Sequence, residues 1–243
     1  TLDGLAFRVN TIPLSTTMTL KDYAGNVLNT PGATGTGSMA RGLWSEPGWA
    51  SFAKSTNNGF EVPNAKFQWD MKAGQSMIVH ARIKSMDTAA QEGIIGTYRA
   101  HNTSNAGFRI QVESTADDVS MSVQGTTDSA AQTGSFVGGD LSDGAEHSVT
   151  VVVDGSTETF DIYYDAVAVE EDADASGASA STQPATEGLW IGQDASGGIC
   201  ASCKMRDVHC LVWTGGQPSN IQTVVNLLHA RPFYPLTADE FNP

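Results

Sequence analysis

His147-Ser148-Val149-Thr150-Val151-Val152-Val153-Asp154-Gly155 and, beyond Ser156-Thr157-Glu158, Thr159-Phe160-Asp161-Ile162-Tyr163-Tyr164-Asp165 decide how this chain folds. Successive side chains of a strand point to opposite faces, so Val149, Val151 and Val153 share one face and Phe160, Ile162 and Tyr164 share another. β-branched and aromatic residues suit a pleated, half-buried surface, and the Asp-Gly and Asp punctuation that follows each run marks turns. The two runs read as neighbouring strands, each with one face in a core.

The same period of two extends outward in both directions. From Gln75 to Lys84, Met77, Val79, Ala81 and Ile83 alternate with Ile78, His80 and Arg82; Phe108, Ile110 and Val112 repeat the pattern, as do Val119, Met121 and Val123 before Gly125. Downstream come Leu189-Trp190-Ile191-Gly192 and the run Met205 to Trp213. Strands separated by Gly, Asp, Ser and Asn turns, with almost no helical periodicity, predict an all-β, antiparallel sandwich. One helix is expected over Ser219–His229. Ser219 follows Pro218 as an N-cap, Ile221, Val224, Val225 and Leu228 fall on one face, and Pro232 forbids continuation. It is expected to cap one end of the sandwich. The stretch Glu170 to Glu187, acidic and then rich in Ser and Ala, reads as a solvated loop, and so does Thr126 to Gly144 apart from a short strand at Phe136-Val137.

Composition bounds the function. The 243 residues carry 27 acidic and 13 basic side chains, a formal charge of −14, and only 16% of residues are charged. Such a polyanion is unsuited to gripping nucleic-acid phosphates. No run approaches the roughly 20 apolar residues of a membrane helix, and the first residues lack the basic region and apolar core of a signal peptide. With 40% hydrophobic residues, a single large core is expected. Three cysteines make no disulfide framework and read as reduced. Residues 1–56 differ from the rest: Gly and Thr clusters, Trp44 and Trp49, and no long periodic run give an extended arm, with a short hairpin expected around Gly25-Asn26. The organisation expected is an arm at 1–56, a sandwich domain at 57–230 and a tail at 231–243. An arm with apolar anchors needs a surface, its own domain or a neighbouring subunit.

In this order and spacing the segments resemble the laminin-G-like, or concanavalin A-like, jelly-roll family of lectins and glucanases. Asn58 to Pro63 resembles its opening strand, and Ser76 to Lys84 the next. Gly107 to Ile110 is similar to a middle strand, and His147 to Gly155 resembles its W-H-H-V-A-V-V-Y-D-G run, with Glu146 where the family has an aromatic residue. Leu189 to Gly192 is similar to its L-x-I-G strand, and Met205 to Leu211 to the closing strand before a short helix. The resemblance spans roughly 57–230 and implies a concanavalin A-like jelly roll. It also implies that Val208, Cys210 and Val212 point inward.

The chain offers little chemistry. Glucanases of this architecture need two carboxylates on one strand face about 5–5.5 Å apart. Glu170-Glu171-Asp172-Ala173-Asp174 lacks that spacing and reads as a solvated run. Cys200, Cys203, His209 and Cys210 are four zinc-ligand types, but His209 and Cys210 are neighbours on a strand and face opposite ways. These cysteines therefore read as core residues. No H-E-x-x-H, G-x-S-x-G, P-loop or dinucleotide pattern occurs. Calcium alone stays open as a cofactor, on Asp117, Asp118 and Asp194 beside strand ends. Among the aromatics, Trp190 and Trp213 read as packing residues, whereas Trp44, Trp49 and Tyr98 are the contact residues expected for a glycan or a partner.

The expectation is therefore a non-catalytic structural or interaction protein. The jelly roll resembles decoration and appendage subunits of tailed-phage particles, which implies a virion component whose arm clamps neighbouring subunits of a larger assembly or homo-oligomer. The alternative is a lectin-like, calcium-assisted glycan-binding module, extracellular or on a cell surface. Neither involves nucleic acid or membrane insertion.

Overall fold

The structure, a computed structural model, describes residues 5–6, 8–9, 20–21, 49–52, 59–62, 74–84, 92–97, 107–112, 119–124, 132–136, 141–174, 189–193 and 202–230. They form the expected antiparallel β-sandwich. The first sheet runs β1 (Leu5–Ala6), β15 (Lys204–Thr214), β6 (Gln75–Lys84), β11 (Glu146–Asp154), β12 (Thr159–Tyr164) and β13 (Val167–Asp174), with β4 (Ala50–Ser51) also paired to β15. The second runs β10 (Gln132–Phe136), β9 (Val119–Gln124), β8 (Gly107–Val112), β7 (Glu92–Gly96), β14 (Leu189–Ile191) and β5 (Phe60–Val62). β2 (Arg8–Val9) pairs with β3 (Leu20–Lys21).

Alternation builds the core. Met77, Val79, Ala81 and Ile83 of β6, Val149, Val151 and Val153 of β11, and Phe160 and Ile162 of β12 meet Phe108, Ile110, Val112, Leu189 and Ile191 from the other sheet. Cys210 and Val212 of β15 join them, and Val208 packs alongside. A register shift between Arg206 and His209, with Asp207 at φ 55°, lets β15 keep its apolar residues inward on both sides of the irregularity. Cys203 and Cys210 are buried free thiols, as the hydrophobe reading requires; burial pushes both up, and the charge of Glu92 adds to the effect at Cys203.

The helix α1 (Ile221–Ala230) forms close to its expected place, but one residue later at its start: the Asn220 carbonyl accepts the Val224 amide at 3.1 Å. Its position departs from expectation. Val224, Val225 and Leu228 lie on Ile78, Val152, Tyr163, Leu211 and Trp213, the residues of the first sheet that alternate with the core set. The helix thus covers the outer face of that sheet rather than one end of the sandwich. Side chains such as Ile78 and Leu211 are apolar on the face away from the core, and a strand buried on both faces needs a second covering layer.

The acidic run is also a correction: Glu170 to Asp174 belongs to the strand β13, not to a loop. Among the described residues β13 sits at the sheet edge and pairs with β12, so its carboxylates can stay in water and deter edge-to-edge pairing. The connection from β12 is a two-residue turn with both Asp165 (φ 48°) and Ala166 (φ 65°) left-handed, the geometry that matches hairpin twist. β10 occupies residues 132–136, of which only Phe136 was expected to be in a strand. In the arm, Leu20-Lys21 pairs with Arg8-Val9, and the turn expected around Gly25-Asn26 lies outside the described residues.

The strand pairings described between the arm and the sandwich are made to β15 of this same chain. Leu5 and Ala6 pair with Cys210 and His209, and Ala50 and Ser51 pair with Met205 and Lys204. Phe52 exchanges backbone hydrogen bonds with Cys203 at 2.8 and 3.2 Å. Its ring presses on Gly192, where an added Cβ would come within 2.1 Å; Gly192 also needs φ 80°, which explains the glycine of Leu189-Trp190-Ile191-Gly192.

Candidate functional site

The densest polar cluster lies beside the C-terminal end of α1. Arg82 Nη2 donates to the carbonyls of Leu228, at 3.1 Å, and of His229, satisfying oxygens that a helix end leaves open. Its Nη1 donates to Glu146 Oε1 at 2.7 Å, and its Nε lies 3.4 Å from Asp207 Oδ2. Glu146 takes a second guanidinium from Arg206 at 2.5 Å. Burial alone would lift the Glu146 carboxyl, but its bonds to Arg206 and Arg82 outweigh that and hold it below its ordinary range. The acid at the start of β11 is explained by these two arginines. Next to them Trp49 is 4% exposed, with Lys84 Nζ 4.5 Å and Arg206 Cζ 4.6 Å from its ring centroid.

Four histidines flank this network. His80 is fully buried, its Nδ1 2.8 Å from Thr150 Oγ1, its ring edge-on to His209 at 5.7 Å. Burial, then the neighbouring His209, Arg82 and His229, hold it well below an ordinary histidine. His147 donates to Asp165 at 2.8 Å and lies 3.1 Å from Asp143, and it stacks on Tyr164; burial opposes protonation, but the two carboxylates outweigh it and raise its pKa. Ser148 Oγ is 2.8 Å from His229 Nδ1, and Asp165 lies 4.0 Å from that same nitrogen. A serine relay needs its acid on the opposite ring nitrogen, and Ser148 is 1% exposed, so this group cannot present a nucleophile. The cluster fastens the helix; it does not form a reaction centre. Among the described residues no three His, Cys, Asp or Glu side chains converge as metal ligands.

The outer face of the second sheet is different. Register places Glu61, Trp190, Gly96, Arg109, Ser122 and Thr133 in one row across β5, β14, β7, β8, β9 and β10. Trp190 alternates with the buried Leu189 and Ile191, and Arg109 with Phe108 and Ile110, so both project away from the core. Between them Gly96 offers no side chain, and a Cβ there would meet Phe108 O at 2.5 Å. With strands 4.7–4.9 Å apart, Trp190 and Arg109 stand about 10 Å from each other. Trp190 is half-buried, and its Nε1–H has no hydrogen-bond acceptor among the described residues. That nitrogen is shielded from solvent, as is Arg109 at 6% exposure, so what the row offers outward is part of the indole ring.

Of the residues chosen from sequence, Trp49 is the one described, and burial commits its ring to Lys84 and Arg206 of this chain instead of an open contact surface. Trp44 and Tyr98 lie outside the described residues, as do Asp117, Asp118 and Asp194 and the fourth cysteine-cluster member Cys200. Trp190 was passed over as a packing residue. The signal that could have found it is the alternation itself, which sets it on the face opposite Leu189 and Ile191. Trp213 does pack, under α1.

No family model matches the chain, and no curated protein matches it by sequence. Solved structures resemble it in shape. The CBM40 of the Ruminococcus gnavus IT-sialidase, bound to α2,6-sialyllactose, is 13% identical with a TM-score of 0.47, covering 69% of this chain and 96% of that one. The K499G mutant of NanB sialidase from Streptococcus pneumoniae is 12% identical with a TM-score of 0.49, over 71% of this chain and 27% of that one. The heptameric SAP-like pentraxin of Limulus polyphemus is 15% identical with a TM-score of 0.43, over 63% and 69%. Likenesses this distant transfer no ligand and no activity.

Proposed function

We propose that the chain is a non-catalytic recognition module that binds carbohydrate on the outer face of its second sheet, with Trp190 as the platform. One observation carries this reading: a half-buried indole projects from the sheet on the face away from the core, with part of its ring open to solvent. The apolar face of a pyranose stacks on such a ring. Gly96 leaves the neighbouring row position without a side chain. The polar cluster under α1 supports the non-catalytic part, since its serine, histidines and acids are bound to one another and to the helix end.

A glycan array followed by calorimetry on the strongest ligand tests the reading. Trp190→Phe keeps a smaller stacking ring, so affinity is expected to fall severalfold; Trp190→Ala is expected to abolish binding. A silent array, or a ligand indifferent to both changes, overturns it. Repeating the array with a chelator tests calcium. The assembly-subunit reading, with a virion as its setting, gains no specific observation, because the described contacts of the arm, its pairings to β15 among them, are with this same chain.

A further inference from the structure

We infer that α1 is an acid-released latch: closed over the first sheet near neutral pH, and opening at its C-terminal half on acidification while the sandwich beneath stays folded. The inference starts from how the helix is held. Its apolar contact is one small cluster, Val224, Val225 and Leu228 on Ile78, Val152, Tyr163, Leu211 and Trp213. Its C-terminal end is held otherwise, by Arg82 on the Leu228 and His229 carbonyls and by Ser148 on His229.

Beneath that end lies His80, with 0% exposure and an Nε2 that no described residue hydrogen-bonds. The groups facing it are Arg82 from its own strand, His209 from β15 and His229 from α1, with the Thr150 hydroxyl of β11 on its Nδ1. Asp207 and Glu146 supply negative charge, but both are engaged by arginines. A proton on His80 would therefore be buried among positive charges. The closed state admits only neutral imidazole, and the proton is taken up when the helix lifts.

The sign follows from linkage. A group depressed in the closed state stabilises that state above its ordinary value, near 6.5 for histidine, and the stabilisation is lost as pH falls below it. His147 acts in the opposite sense, being raised by Asp165 and Asp143, and it strengthens the 165–166 turn on acidification rather than the helix seat. The Glu146 contribution is lost only below about pH 4.5 and leaves the window untouched. For one excluded proton, the closed-to-open ratio is expected to drop about tenfold between pH 7.5 and 5.5.

Native-state hydrogen exchange of the full chain, corrected for intrinsic rates, reads this directly. The α1 amides are expected to lose about tenfold protection from pH 7.5 to 5.5, while β6 and β11 amides keep theirs; His80→Asn and His80→Gln are expected to remove the pH dependence. Unchanged α1 protection in the wild-type protein overturns the inference, and so does a loss shared equally by helix and strands. The wild-type measurement decides the matter even where both variants fail to fold.

Discussion

The two outer faces of the sandwich share one core and differ in almost everything else. The first sheet turns Ile78, Val152, Leu211 and Trp213 outward and must be covered, and α1 covers it. The second sheet turns out Arg109, Gln111 and Trp190, a polar row broken by Gly96 in which Arg109 is 6% and Gln111 2% exposed and Trp190 alone is half-buried. A face that has been sealed is a place for stability and control. A face lined by polar groups and one half-buried indole leaves that indole as its place for contact. The division of labour follows from which residues alternate with the shared core set.

That contrast can be broken at several points. Phe160→Ala removes a ring common to both halves and is expected to cost about 4 kcal/mol, read as a lowered urea midpoint at constant slope. Leu228→Ala strikes only the sealed face: about 3 kcal/mol, with exchange protection lost first in α1. If it destabilised β8 and β9 equally, the helix would be part of the core and the contrast would collapse. Glu146→Gln frees Arg82 and Arg206 from their shared acid and is expected to cost about 1.5 kcal/mol at pH 7. Because the Glu146 carboxyl is depressed in the fold, the wild-type protein gains this contribution above about pH 4.5 and loses it as pH falls further. The variant is expected to show a flatter stability profile there, measured by urea titration at each pH. The smallest effect belongs to the polar face: Trp190→Phe is expected to change stability by less than about 0.5 kcal/mol while weakening sugar binding.

How far the sequence disclosed all this depended on whether the relevant physics is local. Strands β6, β11 and β12 were legible because each carries its own alternation, and α1 because its apolar spacing and flanking Pro232 are local signals. β10 and β13 were not. Gln132-Thr133-Gly134-Ser135 and Glu170-Glu171-Asp172 have the composition of loops, and they are strands only because a neighbour supplies hydrogen bonds on one side. The helix was found but misplaced, since its seat depends on Ile78, Val152 and Leu211, residues from three strands brought together by register. The cluster of Arg82, Glu146, Arg206 and Asp207 has the same origin, with a left-handed Asp207 that no local pattern announces. Trp190 was legible in principle, and its alternation was read as packing on both sides instead of one.

The way the arm is fastened has a mechanical side. β15 is bonded along one edge to the long strand β6, but along the other only to the two-residue patches Leu5–Ala6 and Ala50–Ser51. A tensile load carried by the N-terminal segment would meet the first patch alone, then the second together with Phe52 wedged against Gly192, and only afterwards the ladder between β15 and β6. Within the first sheet the load would thus fall on the shortest pairings first.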